Sequence, residues 1–204
     1  MKFVFTSIEI KEIAISAAVL SVAFALAFSD GIFNLDIARL PMLVIFSFIA
    51  VGIGFLAHEL IGHKLVSQHY GIHAEYRLWK TGLVIAIVSS MFGVVFAAPG
   101  AVMIYQGADL WGNAVPLPRK RYGIISIMGP VTNIAIAAGF MAANVFSPSE
   151  LFQLGAHINI WLAIFNMLPV PPLDGSKVFA WDKRIWLAFF AACIALFAAL
   201  IYLA

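Results

Sequence analysis

The stretch Val51-Gly-Ile-Gly-Phe-Leu-Ala-His-Glu-Leu-Ile-Gly-His-Lys-Leu-Val66 places two histidines and a glutamate at the end of a long apolar run that begins near Leu40. Ionisable side chains are costly inside a lipid bilayer, and those found there usually face the protein interior or a water-filled cavity. His58, Glu59 and His63 therefore predict a functional site around which the rest of the chain is arranged. The structural alternative is a polar cluster that only packs helices together.

The composition predicts an integral membrane protein. Of the 204 residues, 63% are hydrophobic and 11% are charged, whereas a soluble domain is typically about half apolar and about a quarter charged. The mean hydropathy is +1.01. The net charge of +2 gives no reason to expect nucleic acid as a partner. We expect one membrane domain over residues 1–204, with the lipid bilayer as its surroundings.

Apolar runs of about 20 residues are long enough to cross a bilayer as helices. Besides the run with the histidines, residues 40–66, such runs occupy residues 12–28, 83–105, 122–146, 151–168 and 185–204. Ahead of the first run, Thr6-Ser7-Ile8-Glu9 has the pattern of a capping box.

The run at residues 83–105 differs from the others. Val and Ile dominate it, Gly93 interrupts it, and Pro99-Gly100 is typical of a turn. Irregular backbone at membrane depth has to be buried in protein or line a wet cavity. We therefore predict a re-entrant β-hairpin in this run rather than a spanning helix.

Basic residues distinguish five membrane spans from six, because cytoplasmic loops carry an excess of Lys and Arg. If residues 83–105 span, there are six helices and the basic loops fall on both sides. If this run is re-entrant, there are five spans and only Arg39 lies outside. The other basic residues then share the cytoplasmic side: Lys2, Lys11, Lys64, Arg77, Lys80, Arg119, Lys120, Arg121, Lys177, Lys183 and Arg184.

The predicted fold is an all-α polytopic membrane protein. It has five, alternatively six, transmembrane helices and a re-entrant β-hairpin after the second helix. The N-terminus is expected in the cytoplasm, and the protein in the cell membrane as a multi-pass protein.

A second motif, Asn166-Met-Leu-Pro-Val-Pro-Pro-Leu-Asp-Gly175, lies at the end of the run 151–168. In the five-span topology it reaches the same depth, on the same side, as His58 and His63. Its three prolines cannot continue a helix, so they would hold Asp174 on an extended segment. A carboxylate there could complete a site with two imidazoles and leave a fourth position for water, as in catalytic zinc sites.

Three blocks of this sequence together resemble the site-2 protease family of intramembrane zinc metalloproteases, peptidase family M50, of the compact archaeal or bacterial kind. They are residues 58–63, Gly129-Pro-Val-Thr-Asn133 and residues 166–175, and they occur in the order of the family. The segment Ala97-Ala-Pro-Gly-Ala101 is also similar to the hairpin region of that family. The resemblance spans about residues 55–177, well over half of the chain.

The resemblance implies an enzyme, a zinc endopeptidase that cleaves a transmembrane helix of a membrane-protein substrate. The family's zinc ligands match His58, His63 and Asp174. Its general base matches Glu59, which would take a proton from water as the water attacks the scissile carbonyl. The cleavage is expected near the cytoplasmic side, where these residues lie in the five-span topology.

The partner that the resemblance implies is a single-pass transmembrane protein. Asn133 and Asn166 match polar positions near the site, and their amides would bind substrate backbone exposed when the substrate helix unwinds. The hairpin would present an edge to the unwound segment by strand addition. The substrate, the cleavage position and the oligomeric state are not implied.

The spacing of the first motif departs from the family pattern H-E-x-x-H, since three residues separate Glu59 from His63. On a regular helix, residues five apart lie roughly 140° around the axis, so His58 and His63 would not converge on one ion. A one-residue π-bulge would restore convergence, and Gly62 could ease the distortion. Without a bulge, Glu59 would face His63 as a ligand and would be unavailable as a base.

Two other functions could use the same residues. A catalytically inactive homologue would bind membrane helices without cleaving them, and the extra residue in the motif motivates this alternative. A metal or proton transporter would use the residues as a relay and would need a polar path to the outer face, which only His157 and Asn159 suggest. Cleavage that Glu59→Gln abolishes would favour the protease, whereas metal flux that survives this change would favour transport.

Overall fold

The computed structural model describes residues 5–29, 31–105 and 116–203. Lys2, one of the basic residues used to predict the topology, lies outside the described residues. The elements are α1 (Ser7–Phe28), α2 (Leu40–Ala57), a π-helix (His58–Leu65), α3 (Val66–His69), β1 (Ala74–Leu78), α4 (Lys80–Ser90), β2 (Gly100–Ile104), α5 (Arg119–Phe146), α6 (Glu150–Asn166), α7 (Asp174–Trp181) and α8 (Lys183–Leu203).

Within these described residues, four helices are long and apolar enough to cross a membrane. They are Ser7–Phe28, Leu40–His69, Arg119–Phe146 and Lys183–Tyr202. Helix α6 is apolar but has only 17 residues, and α4 has 11. The prediction of a mainly helical, multi-pass membrane protein is therefore confirmed.

The region after the second helix differs from the hairpin predicted at residues 83–105. Strand β1 comes from the preceding polar connection and pairs antiparallel with β2, from Ala74 opposite Ile104 to Leu78 opposite Gly100. The two strands are joined through the helix α4, whose buried face packs against α1. The Val and Ile content predicted a strand here, but β-propensity depends strongly on context, and residues 80–90 form a helix whose buried face consists of Gly82, Leu83, Ala86 and Ser90.

Helices α2 and α6 run in the same direction, so the two sequence motifs meet at one end of the bundle. At the start of the two helices, Arg39 forms an ion pair with Glu150. Beyond their other ends, Nε2 of His63 lies 2.9 Å from Oδ2 of Asp174. The prediction that these distant motifs lie together is confirmed.

Helix α1 is fixed to the rest of the fold by polar contacts. The hydroxyl of Thr6 accepts a hydrogen bond from the backbone N–H of Glu9 at 3.2 Å, which is one half of the predicted capping box. The carboxylate of Glu9 bonds elsewhere, to Nζ of Lys64 at 2.6 Å and to the N–H of Tyr76 at 3.0 Å. Glu9 therefore joins α1 to both the π-helix and β1.

Candidate metal centre

The helix with the His-Glu motif has π-helical geometry over His58–Leu65. Because hydrogen bonds in a π-helix join residues five apart, one turn accommodates the extra residue. The Nε2 atoms of His58 and His63 lie 3.0 Å apart as a result. A Cβ on Gly62 would lie 2.5 Å from Cα of Gly129, so a glycine allows α5 to approach closely here. The helix is thus distorted as the spacing of the two histidines requires. The distortion is an eight-residue π-helix rather than the predicted one-residue π-bulge.

Three buried side chains, His58, His63 and Asp174, bring one ligand atom each within 4.8 Å of one another. Oδ2 of Asp174 lies 2.9 Å from Nε2 of His63 and 3.4 Å from Nε2 of His58. In a tetrahedral zinc site with bonds of about 2.0–2.1 Å, neighbouring ligand atoms are about 3.3 Å apart. The three atoms are thus spaced as ligands of one zinc ion.

The hydrogen bonds behind the imidazoles determine which nitrogen carries the proton. Nδ1 of His63 lies 2.9 Å from the backbone carbonyl oxygen of Ile125, and Nδ1 of His58 lies 2.5 Å from Oδ1 of Asn133. Both oxygens are acceptors, so each Nδ1 donates and each Nε2 keeps a lone pair. Two lone pairs and the carboxylate of Asp174 then converge, an arrangement that a cation stabilises. Neutral imidazoles and a carboxylate are zinc ligands, so the residues fit this metal.

Gly129 lies directly beside the two ligand nitrogens. A Cβ at this position would be 2.5 Å from Nε2 of His63 and 2.6 Å from Nε2 of His58. Real Cβ atoms essentially never come so close, so either the imidazoles or α5 would have to move. The block at residues 129–133 therefore contributes a glycine for space and an asparagine for hydrogen bonding.

Asp174 is the first residue of α7, whereas the sequence predicted an extended segment. The prolines do separate α6 from α7, and a carboxylate in the first turn of a helix is favourable. Nζ of Lys177 donates to Oδ1 of Asp174 at 3.1 Å. Burial raises the pKa of Asp174, whereas the ammonium group of Lys177 acts against burial and favours the ionised carboxylate, and the pKa lies below its usual value. The carboxylate is therefore ionised, with Oδ2 directed at the histidines.

Sequence reasoning missed Lys177 as part of this site. Residues three apart face one another on a helix, but this signal was hidden because the sequence predicted an extended segment at Asp174, where the structure has α7.

A cavity of about 310 Å³ adjoins the ligand atoms, with β2 among its walls. Glu59 lines this cavity and is buried, and its Oε2 has no hydrogen-bond partner among the described residues. Val102, on β2, lines the same cavity. The predicted base thus lies beside the predicted ligands but outside the ligand set.

The two asparagines predicted to bind substrate are placed differently. Asn166 lines the cavity, and its Nδ2 donates to the backbone oxygen of Leu162 at 2.9 Å. Asn133 is fully buried behind His58 and also bonds Asn159. The structure therefore brings Asn166 to the cavity and Asn133 to the far side of a ligand. The signal for Asn159 was only an amide within an apolar helix.

Comparisons with known proteins relate this chain to metalloproteases. A sequence model of Peptidase family M50 matches residues 143–181. A protein of Methanocaldococcus jannaschii, named as a candidate zinc metalloprotease, is 40% identical over 190 residues, 90% of either chain. The similarly named YwhC of Bacillus subtilis is 28% identical over 100 residues, 39% of this chain and 46% of its own. Rip3 of Mycobacterium tuberculosis, also so named, is 27% identical over 132 residues, 60% of this chain and 27% of its own. No solved structure matches the chain.

Proposed function

The chain belongs to peptidase family M50 and is a zinc metalloprotease of the membrane, and from this premise we propose that it cleaves the transmembrane helix of a single-pass substrate. The cut would lie near the cytoplasmic side of the cell membrane. One observation carries the proposal: ligand atoms of His58, His63 and Asp174 meet beside the buried carboxylate of Glu59. Residues 1–204 would act as a single domain.

His58, His63 and Asp174 would hold the zinc ion. Bound there, zinc supplies a Lewis acid that makes a peptide carbonyl more open to attack by water. The backbone oxygen of Ile125 and Oδ1 of Asn133 accept hydrogen bonds from the two Nδ1–H groups, which leaves both Nε2 lone pairs facing inward. The side chains are therefore arranged for the metal before it binds.

Glu59 would act as the general base. It would take a proton from water as the water oxygen attacks the carbonyl carbon, and deliver it to the amide nitrogen as the C–N bond breaks. The products are a carboxylate and an amine, and one water is consumed. Support comes from the position of Glu59 in the cavity next to His63 and Asp174, with Oε2 unbonded among the described residues.

The substrate segment would bind at the open edge of β2. The N–H of Tyr105 donates to the carbonyl of His73 at 2.9 Å, so odd-numbered residues of the two strands exchange hydrogen bonds. In an antiparallel pair the alternate residues direct their N–H and C=O groups outward. On β2 these residues line the cavity: Gly100, Val102 and Ile104.

The outer edge of β1 is already covered by α1. Glu9 accepts a hydrogen bond from the N–H of Tyr76, and Glu12 accepts one from the N–H of Leu78, both at 3.0 Å. These are even-numbered residues, whose N–H groups point away from β2. An added strand would therefore pair with β2, beside Glu59, by the strand-addition mode of peptide recognition.

Asn166 would bind the backbone of the unwound substrate. It lines the same cavity as β2 and Glu59, and an amide both donates and accepts hydrogen bonds. A helix that unwinds exposes N–H and C=O groups, which have to be satisfied within the bilayer. We do not extend this role to Asn133, because its amide is already bonded within the protein.

We propose five spans with a cytoplasmic N-terminus. Helix α6 would be a span in addition to the four long helices, since it starts beside Arg39, as α2 does, and ends at the metal centre. The segment from β1 to β2 would be re-entrant. Labelling with a membrane-impermeant maleimide tests this orientation: a cysteine at Lys120 should react only from the cytoplasmic side, and one at Arg39 only from outside. The reverse pattern would contradict it.

The function is tested by metal analysis of the purified protein and of His63→Ala. We expect one zinc per chain, with two imidazoles and a carboxylate at the zinc X-ray absorption edge, and loss of this zinc in the variant. Zinc that is indifferent to His63 would overturn the site.

Cleavage is tested on a synthetic single-pass polypeptide whose apolar segment is interrupted by Asn-Gly, in liposomes with the enzyme. The wild type should cut within the apolar segment, and Glu59→Gln should not, while keeping its zinc. Cutting that persists in Glu59→Gln would exclude this base.

A further inference from the structure

A chain of side-chain hydrogen bonds extends from His58 into α6. Nδ1 of His58 lies 2.5 Å from Oδ1 of Asn133, and Nδ2 of Asn133 lies 3.0 Å from Oδ1 of Asn159. Nδ2 of Asn159 donates to the backbone oxygen of Gly155 at 2.9 Å. Both asparagines are 0% exposed. These hydrogen bonds therefore connect the π-helix, α5 and α6 without contact with water.

The direction of each bond is determined from the far end of the chain. The carbonyl of Gly155 can only accept, so Asn159 turns its NH2 group to it and its oxygen to Asn133. Asn133 then turns its own NH2 group to Asn159, and the second hydrogen goes to the carbonyl of Gly54 at 3.1 Å. Its oxygen is left facing His58, whose Nδ1 must carry the proton. The lone pair of His58 is thereby placed on Nε2.

The space for the amide of Asn159 is provided by a glycine of α2. A Cβ on Gly54 would lie 2.2 Å from Oδ1 of Asn159. Glycine at this position thus lets the side chain of Asn159 reach past the backbone of α2. The same glycine provides the carbonyl that accepts the second hydrogen of Asn133.

We propose that Asn133 and Asn159 are positioning residues that set the tautomer and ring orientation of His58. Neither residue lines the cavity, so they act on the zinc through His58 and not on the substrate. Hydrogen bonds to the second ring nitrogen of a metal-binding histidine raise its basicity, and their loss typically weakens metal binding by about 10–100-fold. This inference rests on the proposed function, because it takes His58 as a zinc ligand.

The test is the zinc dissociation constant, measured by competition with a chelating dye on purified protein. Asn133→Leu removes the acceptor for His58 and should weaken zinc binding by about 10–100-fold. Asn133→Asp keeps an acceptor for His58 but loses both hydrogens that Asn133 donates, and its zinc affinity should stay within about threefold of the wild type, a smaller change than that range. Asn159→Leu should weaken binding by about tenfold, since Asn133 keeps its bond to Gly54.

A matched control is Asn144→Leu. Asn144 is also on α5, and its amide oxygen accepts a hydrogen bond from the N–H of Ser149 at 2.9 Å, away from the metal centre. This variant should bind zinc as the wild type does.

The comparison of Asp with Leu at position 133 separates positioning from packing. If the amide only held three helices together, Asp would be as harmful as Leu, because it cannot donate to Asn159 or Gly54. That result, or wild-type affinity in Asn133→Leu, would overturn the inference. The cobalt-substituted protein gives a second readout, in which the ligand-field absorption should change in Asn159→Leu and stay unchanged in Asn144→Leu.

His58→Ala shows which hypothesis has failed. Zinc that depends on His58 but not on the asparagines would reject the positioning role alone. Zinc binding that survives His58→Ala would reject the site itself.

Discussion

The Nε2 atoms of His58 and His63 lie 3.0 Å apart although these histidines are five positions apart in sequence. An α-helix would place them roughly 140° apart. The π-helix absorbs the extra residue locally, where Gly62 packs against Gly129. The flanking helices α2 and α3 thus remain parts of one continuous helix, Leu40–His69.

Deletion of Ile61 should therefore preserve zinc binding. Its side chain is 55% exposed, so little packing is lost, and a shortened motif places the histidines four apart, on one face of an α-helix. We expect one zinc per chain by metal analysis. Deletion of Ile49, in the regular helix α2, should abolish zinc binding, because it rotates one part of the helix against the other by about 100°. Loss of zinc from a folded Ile61 deletion would show that the π-helix itself is required.

Gly129→Ala should expel zinc. The new methyl group would lie within 2.6 Å of both ligand nitrogens, so the imidazoles cannot keep their positions. We expect an affinity loss of more than about tenfold, as for other disturbances of ligand orientation. On the same helix, Gly139→Ala meets no atom within 4 Å and should bind zinc normally, with a gain in stability of about 0.5–1 kcal/mol. Equal zinc affinity in both variants would contradict the close approach at Gly129.

Glu9→Leu should destabilise the fold strongly. Glu9 and Lys64 are both 0% exposed and lie 2.6 Å apart, and removal of one member of a buried ion pair typically costs about 3–5 kcal/mol. Glu9→Leu combined with Lys64→Met should recover most of this loss. The N–H of Tyr76 still loses its acceptor, which costs about 1–3 kcal/mol.

The measurement is the free energy of unfolding in an SDS titration. Arg39→Met breaks the exposed pair with Glu150 and serves as the control, with an expected change of at most about 1 kcal/mol. A double variant as unstable as Glu9→Leu would mean that charge burial is not the cause.

Ile104→Pro should impair cleavage without loss of zinc. The N–H of Ile104 points away from β1, so proline there leaves the β1–β2 pairing intact and removes a donor from the open edge. We expect kcat/KM for the Asn-Gly polypeptide to fall about tenfold, the effect of a lost hydrogen bond worth about 1.4 kcal/mol. Ile104→Ala retains the N–H and is the control. Normal cleavage by the proline variant would exclude strand addition at β2.

Hydropathy and ligand chemistry were readable from the sequence because both are properties of residue types. Apolar runs of about 20 residues predict membrane helices wherever they occur. Two imidazoles, a carboxylate and a buried glutamate suit zinc hydrolysis whatever their distance in sequence. The sequence by itself thus determined the family and predicted the candidate ligands and the end of the bundle at which they meet.

Tertiary packing decided what depended on neighbours distant in sequence. The sequence allowed either a regular helix or a π-bulge at residues 58–63, whereas the structure has a π-helix, with Gly62 packed against Gly129 of α5. Strand β2 pairs with β1, and the residues between them form α4, which packs against α1. Intrinsic propensity does not predict such packing. Asn133 had the residue type of a substrate-binding group, but its position behind His58 directs its amide oxygen to the imidazole of that residue. The sequence determines which groups need a hydrogen-bond partner, because that is a property of the residue type. The tertiary structure determines which partner each group has, because the partner can be distant in sequence.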